Sequence, residues 1–132
     1  MQIKRETDYA IRCLFYLAGR EDDLVMVEEI AQEMAIPKSF AAKILQKLAR
    51  GGLVTSCQGV KGGFRLAKAP EEVSFYDVMV VTEGPLALNI CTEDRKSCDL
   101  SRTCKVHPFW VRVRQEVEEV FRRVTFERIR SS

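Results

Sequence analysis

The sequence predicts a mainly α fold with a small β component (α+β): a winged helix-turn-helix domain, then a cysteine-rich segment and a long C-terminal helix. Three observations carry this expectation. An amphipathic segment at residues 27–34, a three-residue turn and a basic amphipathic segment at residues 38–50 follow one another in helix-turn-helix order. Two strand-like runs around a glycine-rich turn come directly afterwards. Further on, apolar residues recur at intervals of three and four over residues 109–124.

In order, residues 7–19 (TDYAIRCLFYLAG) read as the first helix, with Thr7 as its N-cap and Gly19 as its terminator. The helix is apolar nearly all round, so it is expected to be covered on two sides, by its own domain and by a partner subunit. Asp8 and Arg12, one turn apart, are the exceptions. Residues 21–24 form an acidic, exposed connection. The second helix places Val27, Ile30, Ala31 and Met34 on one face, and Ala35-Ile36-Pro37 is a tight turn. In the third helix Ala41, Ile44, Leu45 and Leu48 make the buried stripe, while Lys38, Ser39, Ala42, Lys43, Gln46 and Arg50 lie opposite. Gly51-Gly52 ends it.

Residues 53–57 and 64–67 read as strands flanking the turn at residues 59–63, with Lys61 at the tip and Arg65 just behind it. A basic hairpin following a basic helix is the pattern of a wing. Ser74 and Asp77 form a capping-box pair opening a fourth helix, which stops at Glu83-Gly84-Pro85. Pro108 suits the first turn of the long helix. Its stripe, Phe109, Val113, Val117, Val120 and Val124 with Trp110 and Phe121, is expected to pack against its own copy across a two-fold axis. Thr125 starts a last short turn, after which the chain end frays. The expected divisions are residues 1–84 for the winged domain, 85–106 for the cysteine-rich segment, and 107–132 for the dimerisation helix and tail.

Composition narrows the function classes. The 132 residues are 46% hydrophobic and 30% charged, ordinary for a soluble domain. No apolar run reaches membrane-spanning length and MQIKRETDY is too polar for a signal peptide, so the expected location is cytoplasmic, with no membrane partner. The net charge of +2 says little, but its distribution says more. Residues 34–70 contain no acidic side chain and seven basic ones: Lys38, Lys43, Lys47, Arg50, Lys61, Arg65 and Lys68. That stretch is an anion-binding surface fit for duplex DNA. Lys38, Ser39, Lys43 and Gln46 are expected in the major groove, Lys47 and Arg50 on phosphate, and Lys61 and Arg65 in the minor groove or on phosphate.

Five cysteines form an odd set, and three of them share one loop, which argues against a disulfide framework. Cys13 and Cys57 read as small buried hydrophobes. Cys91, Cys98, Cys104 and His107 follow as C-x6-C-x5-C-x2-H in a polar stretch too poor in apolar residues to fix itself. Structural zinc sites usually space their cysteines two to four apart, whereas these wider gaps suit an iron–sulfur cluster. A thiol-redox or zinc-stabilised protein-interaction module with an incidental basic face is the rival from another class. No enzyme is expected, since the sole histidine sits beside the cysteines and no acid–base pair stands out.

These pieces together resemble the IscR/NsrR-type winged-helix transcription regulators, the Rrf-two family, over essentially the full length. The matching stretches are TDYAIRCLFYLA, IPKSFAAKILQKLARGGLV, GVKGGFRLAK, and C-x6-C-x5-C followed by KVHPFW. The resemblance implies a homodimeric DNA-binding regulator sensing iron–sulfur, redox or nitric oxide status through a cluster held by Cys91, Cys98 and Cys104. It also implies the iron–sulfur assembly machinery as a further candidate partner. His107 matches the fourth ligand of the branch that carries [2Fe-2S], the type favoured here. Asp8, contributed by the partner subunit, stands at the place that completes a [4Fe-4S] cluster in the nitric-oxide-sensing branch, and is the alternative. Pro37 and Ala42 depart from the family pattern, which bears on the operator sequence.

Overall fold

Most elements of the protein are laid against one helix, α1 (Arg5–Ala18), whose Ala10, Cys13, Leu14, Leu17 and Ala18 have no exposed surface. The computed structural model describes residues 2–20, 23–94, 96, 98–100 and 102–132, without the side chain of Ile90. Residues 21 and 22 of the expected acidic connection lie outside the described residues, and Asp23 and Leu24 are exposed. Burial pushes the Cys13 thiol up to about 12, so this cysteine packs as a small hydrophobe.

α1 starts two residues earlier than expected. Thr7 is not its N-cap; Lys4 is. Thr7 lies inside the first turn and is fully buried, because its hydroxyl is needed against α4 (Phe75–Thr82). It lies 2.7 Å from the Thr82 hydroxyl and donates to Glu83 Oε1 at 2.7 Å. The backbone N–H of Lys4 donates to the same carboxylate oxygen at 2.7 Å. Burial opposes ionisation of Glu83, but these donors and the charges of Lys4 and Lys47 outweigh it and lower its pKa from the ordinary carboxylate value.

α2 (Val27–Glu33) and α3 (Lys38–Arg50) form the helix-turn-helix. The turn is tight because Ala35 takes a left-handed conformation (φ 54°), a position glycine usually fills. Ile36 N–H closes back onto the Ala31 carbonyl at 2.9 Å, and the Ile36 side chain is buried beneath the turn. The buried residues of α3 are Ala41, Ile44, Leu45 and Leu48, as its apolar spacing predicts.

β1 (Val54–Cys57) and β2 (Gly63–Leu66) pair antiparallel, with Val54 opposite Leu66 and Cys57 opposite Gly63. Val25 adds a single rung on the outer side of β2, exchanging both backbone bonds with Phe64 at 2.8 Å. A 3₁₀ turn (Pro70–Glu72) leads to α4, which opens on the expected capping box: Ser74 Oγ accepts from Asp77 N–H at 3.3 Å, and Asp77 Oδ2 accepts from Ser74 N–H at 2.9 Å.

After α5 (Ile90–Glu93) comes α6 (His107–Arg123), with proline in its first turn. Val124 leaves the helix, so the expected apolar stripe ends one member early. Its backbone is extended (φ −90°, ψ 98°) and its carbonyl accepts from Phe75 N–H at 2.9 Å. The chain end does not fray there. Phe126 N–H bonds the Val73 carbonyl at 3.0 Å, and α7 (Phe126–Arg130) returns to α1. Arg130 donates to the Ala18 carbonyl at 2.8 Å, satisfying an open carbonyl in the last turn of a helix that has no basic residue of its own there. Among the described residues, no helix is long and apolar enough to cross a membrane.

Phe126 has no exposed surface and packs on Phe75 with ring centroids 5.8 Å apart. Phe126→Ala should therefore cost about 3–5 kcal/mol in equilibrium unfolding, as large core truncations do. Truncation at the exposed Phe109 of the same monomer should cost far less.

Candidate nucleic-acid interface and cysteine segment

Lys38, Ser39, Lys43, Gln46 and Arg50 are exposed on the side of α3 away from its buried stripe, and Lys47 is half-buried. Lys61 and Arg65 are exposed on the hairpin, where Val60, almost fully exposed, shares the tip with Lys61. Both the reading helix and the hairpin thus leave basic residues open to solvent. The absence of acidic residues from residues 34–70 does not carry over into space. Glu28 of α2 meets Lys38 Nζ at 2.8 Å, and Glu6 of α1 meets Lys47 Nζ at 2.9 Å. The Lys38 contact lowers the pKa of Glu28. These contacts join residues on different helices, so local composition gave no sign of them. Among the described residues, Lys43, Arg50, Lys61 and Arg65 make no ion pair.

The wing is anchored by close backbone approach. A Cβ on Gly63 would lie 2.6 Å from the Val25 carbonyl oxygen, and one on Gly62 would lie 2.3 Å from that of Cys57. Only hydrogen fits at either position.

All five cysteines are free thiols. Cys91, Cys98 and Cys104 are half-buried, as is His107 at the start of α6. Among the described residues, no three Cys, His, Asp or Glu side chains converge as a metal-ligand set. Arg95, Ser97 and Ser101, between the cysteines, lie outside the described residues. Asp8, the alternative ligand, is on α1 and ion-paired with Arg12 at 2.9 Å. His107 Nδ1 is buried without a hydrogen-bond partner, and so is Arg114 Nε. The two residues stand seven apart, two turns along one side of α6.

Three residues that the sequence did not single out organise this region. Asn89 Oδ1 accepts from Cys91 Sγ and from Thr92 N–H, both at 3.2 Å. The buried Thr92 hydroxyl accepts from the N–H groups of Leu88 and Asn89 and donates to the Asn89 carbonyl. Arg114 reaches across from α6 to the Thr92 carbonyl at 3.0 Å. Asparagine just ahead of a short helix is the one sequence signal for this arrangement; the Arg114 contact spans 22 positions and has none.

The other side of α6 is apolar and exposed. Phe109 (63%), Trp110 (41%), Val113 (45%) and Val120 (50%) face away from the body, and no residue of α6 is fully buried.

A sequence model of the Rrf2 family, described as an iron-dependent transcriptional regulator, matches residues 3–131. The chain belongs to the Rrf2 family. The HTH-type transcriptional regulator NsrR of Halalkalibacterium halodurans is 36% identical over 108 residues, covering 80% of this chain and 74% of that one. The structure of CymR, the global cysteine regulator of B. subtilis, matches with a TM-score of 0.80 at 25% identity, over 99% of this chain and 97% of that one. IscR of T. potens shares the fold, with a TM-score of 0.73 at 23% identity over 96% and 84% of the two chains. This Rrf2 protein is accordingly a winged-helix, DNA-binding transcriptional regulator and not an enzyme.

In such a regulator the wing must keep its place. Gly63→Ala should weaken DNA binding by roughly tenfold, about 1.4 kcal/mol, because β2 must move away from Val25. Circular dichroism should show the helices intact, and fluorescence anisotropy with duplex DNA would measure the loss.

Proposed function

We propose that this Rrf2 protein is a homodimer whose grip on its operator is set by an iron–sulfur cluster bound by Cys91, Cys98, Cys104 and His107. The observation that carries the cluster reading is His107 Nδ1: a buried imidazole nitrogen without a partner, three residues beyond the free thiol of Cys104. Three soft thiolates and one imidazole are a donor set for [2Fe-2S]. Ligands gathered by their own metal centre need not converge beforehand, since metal binding is itself coupled to folding. Asp8 is the weaker choice as fourth ligand because Arg12 already neutralises it. When bound, such a cluster supplies a charge that changes on oxidation and a centre that reacts with nitric oxide. The iron–sulfur assembly machinery is its natural source.

The exposed apolar side of α6 supports the dimer. Phe109, Trp110, Val113 and Val120 form a patch of the kind that marks an interface, and a second copy of the helix matches its spacing. Residues 85–106 then act as the cluster segment and 107–132 as the dimerisation helix and tail, with residues 1–84 as the reading head.

On DNA, Lys38, Ser39, Lys43 and Gln46 face base edges in the major groove, Lys47 and Arg50 hold phosphates, and Lys61 and Arg65 follow the backbone or the minor groove. Lys38 and Lys47 must exchange the carboxylates of Glu28 and Glu6 for DNA.

Anaerobically purified protein should be brown and contain iron and acid-labile sulfide. Cys98→Ala should change operator affinity by about 5–150-fold, the usual range of allosteric coupling. A dimer without iron and sulfide that grips its operator identically after all three thiols are removed would sink the cluster reading. Separately, Lys61→Ala should weaken all DNA sequences alike and reduce the slope of log affinity against log salt by about one. An unchanged slope would remove the wing from the interface.

A further inference from the structure

We propose that Asn89, Thr92 and Arg114 form a preassembled seat for Cys91, so that this thiol is held in place before any cluster is present and the remaining ligands close onto it. The inference rests on the cluster reading above, and it separates the three cysteines, which sequence spacing treats alike. Cys91 Sγ donates to Asn89 Oδ1 at 3.2 Å. Among the described residues, neither Cys98 nor Cys104 has a hydrogen-bond partner.

The seat is built from local bonds and one long-range clamp. Thr92 spends its whole hydroxyl capacity on it, accepting from Leu88 N–H (3.0 Å) and Asn89 N–H (3.2 Å) and donating to the Asn89 carbonyl (3.0 Å). A helix of four residues has too few internal bonds to persist alone. The clamp supplies what it lacks: Arg114 donates a charge-assisted bond to the Thr92 carbonyl at 3.0 Å, fixing the residue next to Cys91 to α6. The same side of α6 carries His107 two turns earlier, so one rigid helix spaces the seat and the imidazole.

The experiment begins with cluster-free protein under reducing, anaerobic conditions. Alkylation by iodoacetamide, mapped by mass spectrometry, should label Cys91 more slowly than Cys98 and Cys104. Arg114→Gln should remove that difference and speed hydrogen exchange at residues 88–93 by up to about tenfold, the change expected for losing one strong hydrogen bond. Thr92→Ser, which keeps the hydroxyl, should behave as wild type. After reconstitution, Arg114→Gln should slow cluster assembly. Equal labelling of the three thiols in wild type, or variants indistinguishable from it in exchange and labelling, would overturn the seat. A wild-type protein that takes up neither iron nor sulfide, yet shows slow Cys91 labelling that Arg114→Gln abolishes, would overturn the cluster reading and leave the seat standing.

Discussion

The buried side of α1 is the constraint on which this structure depends. α2, α3, α4, β2 and α7 all pack on it. Its alanines at 10 and 18 let neighbouring backbones approach closely, while Leu14 and Leu17 fill the space between. A helix shared by so many neighbours cannot shift without repacking each of them, because a close-packed interior leaves no slack. The orientation of the reading helix is thus set by packing on α1 as much as by the turn before it. The polar tie of Thr7 to Thr82 and Glu83 adds direction to one side of that hub, since hydrogen bonds fix angle as well as distance where apolar contact does not.

Locally encoded features could be read from the chain, and those that join distant residues could not. The stripe Ala41, Ile44, Leu45 and Leu48 follows from helical periodicity alone, and the Ser74–Asp77 capping box from a spacing of three. Thr7 was misread because a threonine ahead of an apolar run has the features of a cap; its actual partner lies 75 positions away. The anchoring of the chain end by Phe126, where fraying is expected, escapes the sequence for a similar reason. Five helical residues have little propensity signal, and only the pairing of residues 73–75 with 124–126 makes a core residue of an aromatic near the chain end. The charge map was legible as composition but not as geometry. Glu6 and Glu28 lie outside the acid-free stretch and yet meet two of its lysines.

In the candidate site, the spacing of Cys91, Cys98, Cys104 and His107 told which residue types share a segment. It did not tell which of them is held. Folding distinguishes them through side chains with no metal-binding chemistry of their own: Asn89 accepts from Cys91 and from Thr92 N–H, and Arg114 holds the Thr92 carbonyl. The two sides of α6 divide the labour on the same principle. Arg114 reaches the cysteine segment and His107 Nδ1 is buried on the same side, while Phe109, Val113 and Val120 are exposed. An amphipathic reading of α6 finds the outward stripe first, because apolar residues dominate periodicity, and passes over the inward polar one.

The same geometry bears on how far a local event in the cysteine segment can reach. The chain leaves α4 through Glu83 and Gly84, where Gly84 adopts a positive φ of 82°, and enters α5 within a few residues. Glu83 is also the group that accepts from Lys4 and Thr7 at the start of α1. Two bonds to one carboxylate therefore stand between the cysteine segment and the helix under α3. Lys47 of α3 adds a favourable charge to that carboxylate while pairing directly with Glu6 of α1. Displacing Glu83 would thus act on α1 through hydrogen bonds and on the reading helix through charge. Both routes end within α1 and α3, the two helices that Glu83 and Lys47 tie together.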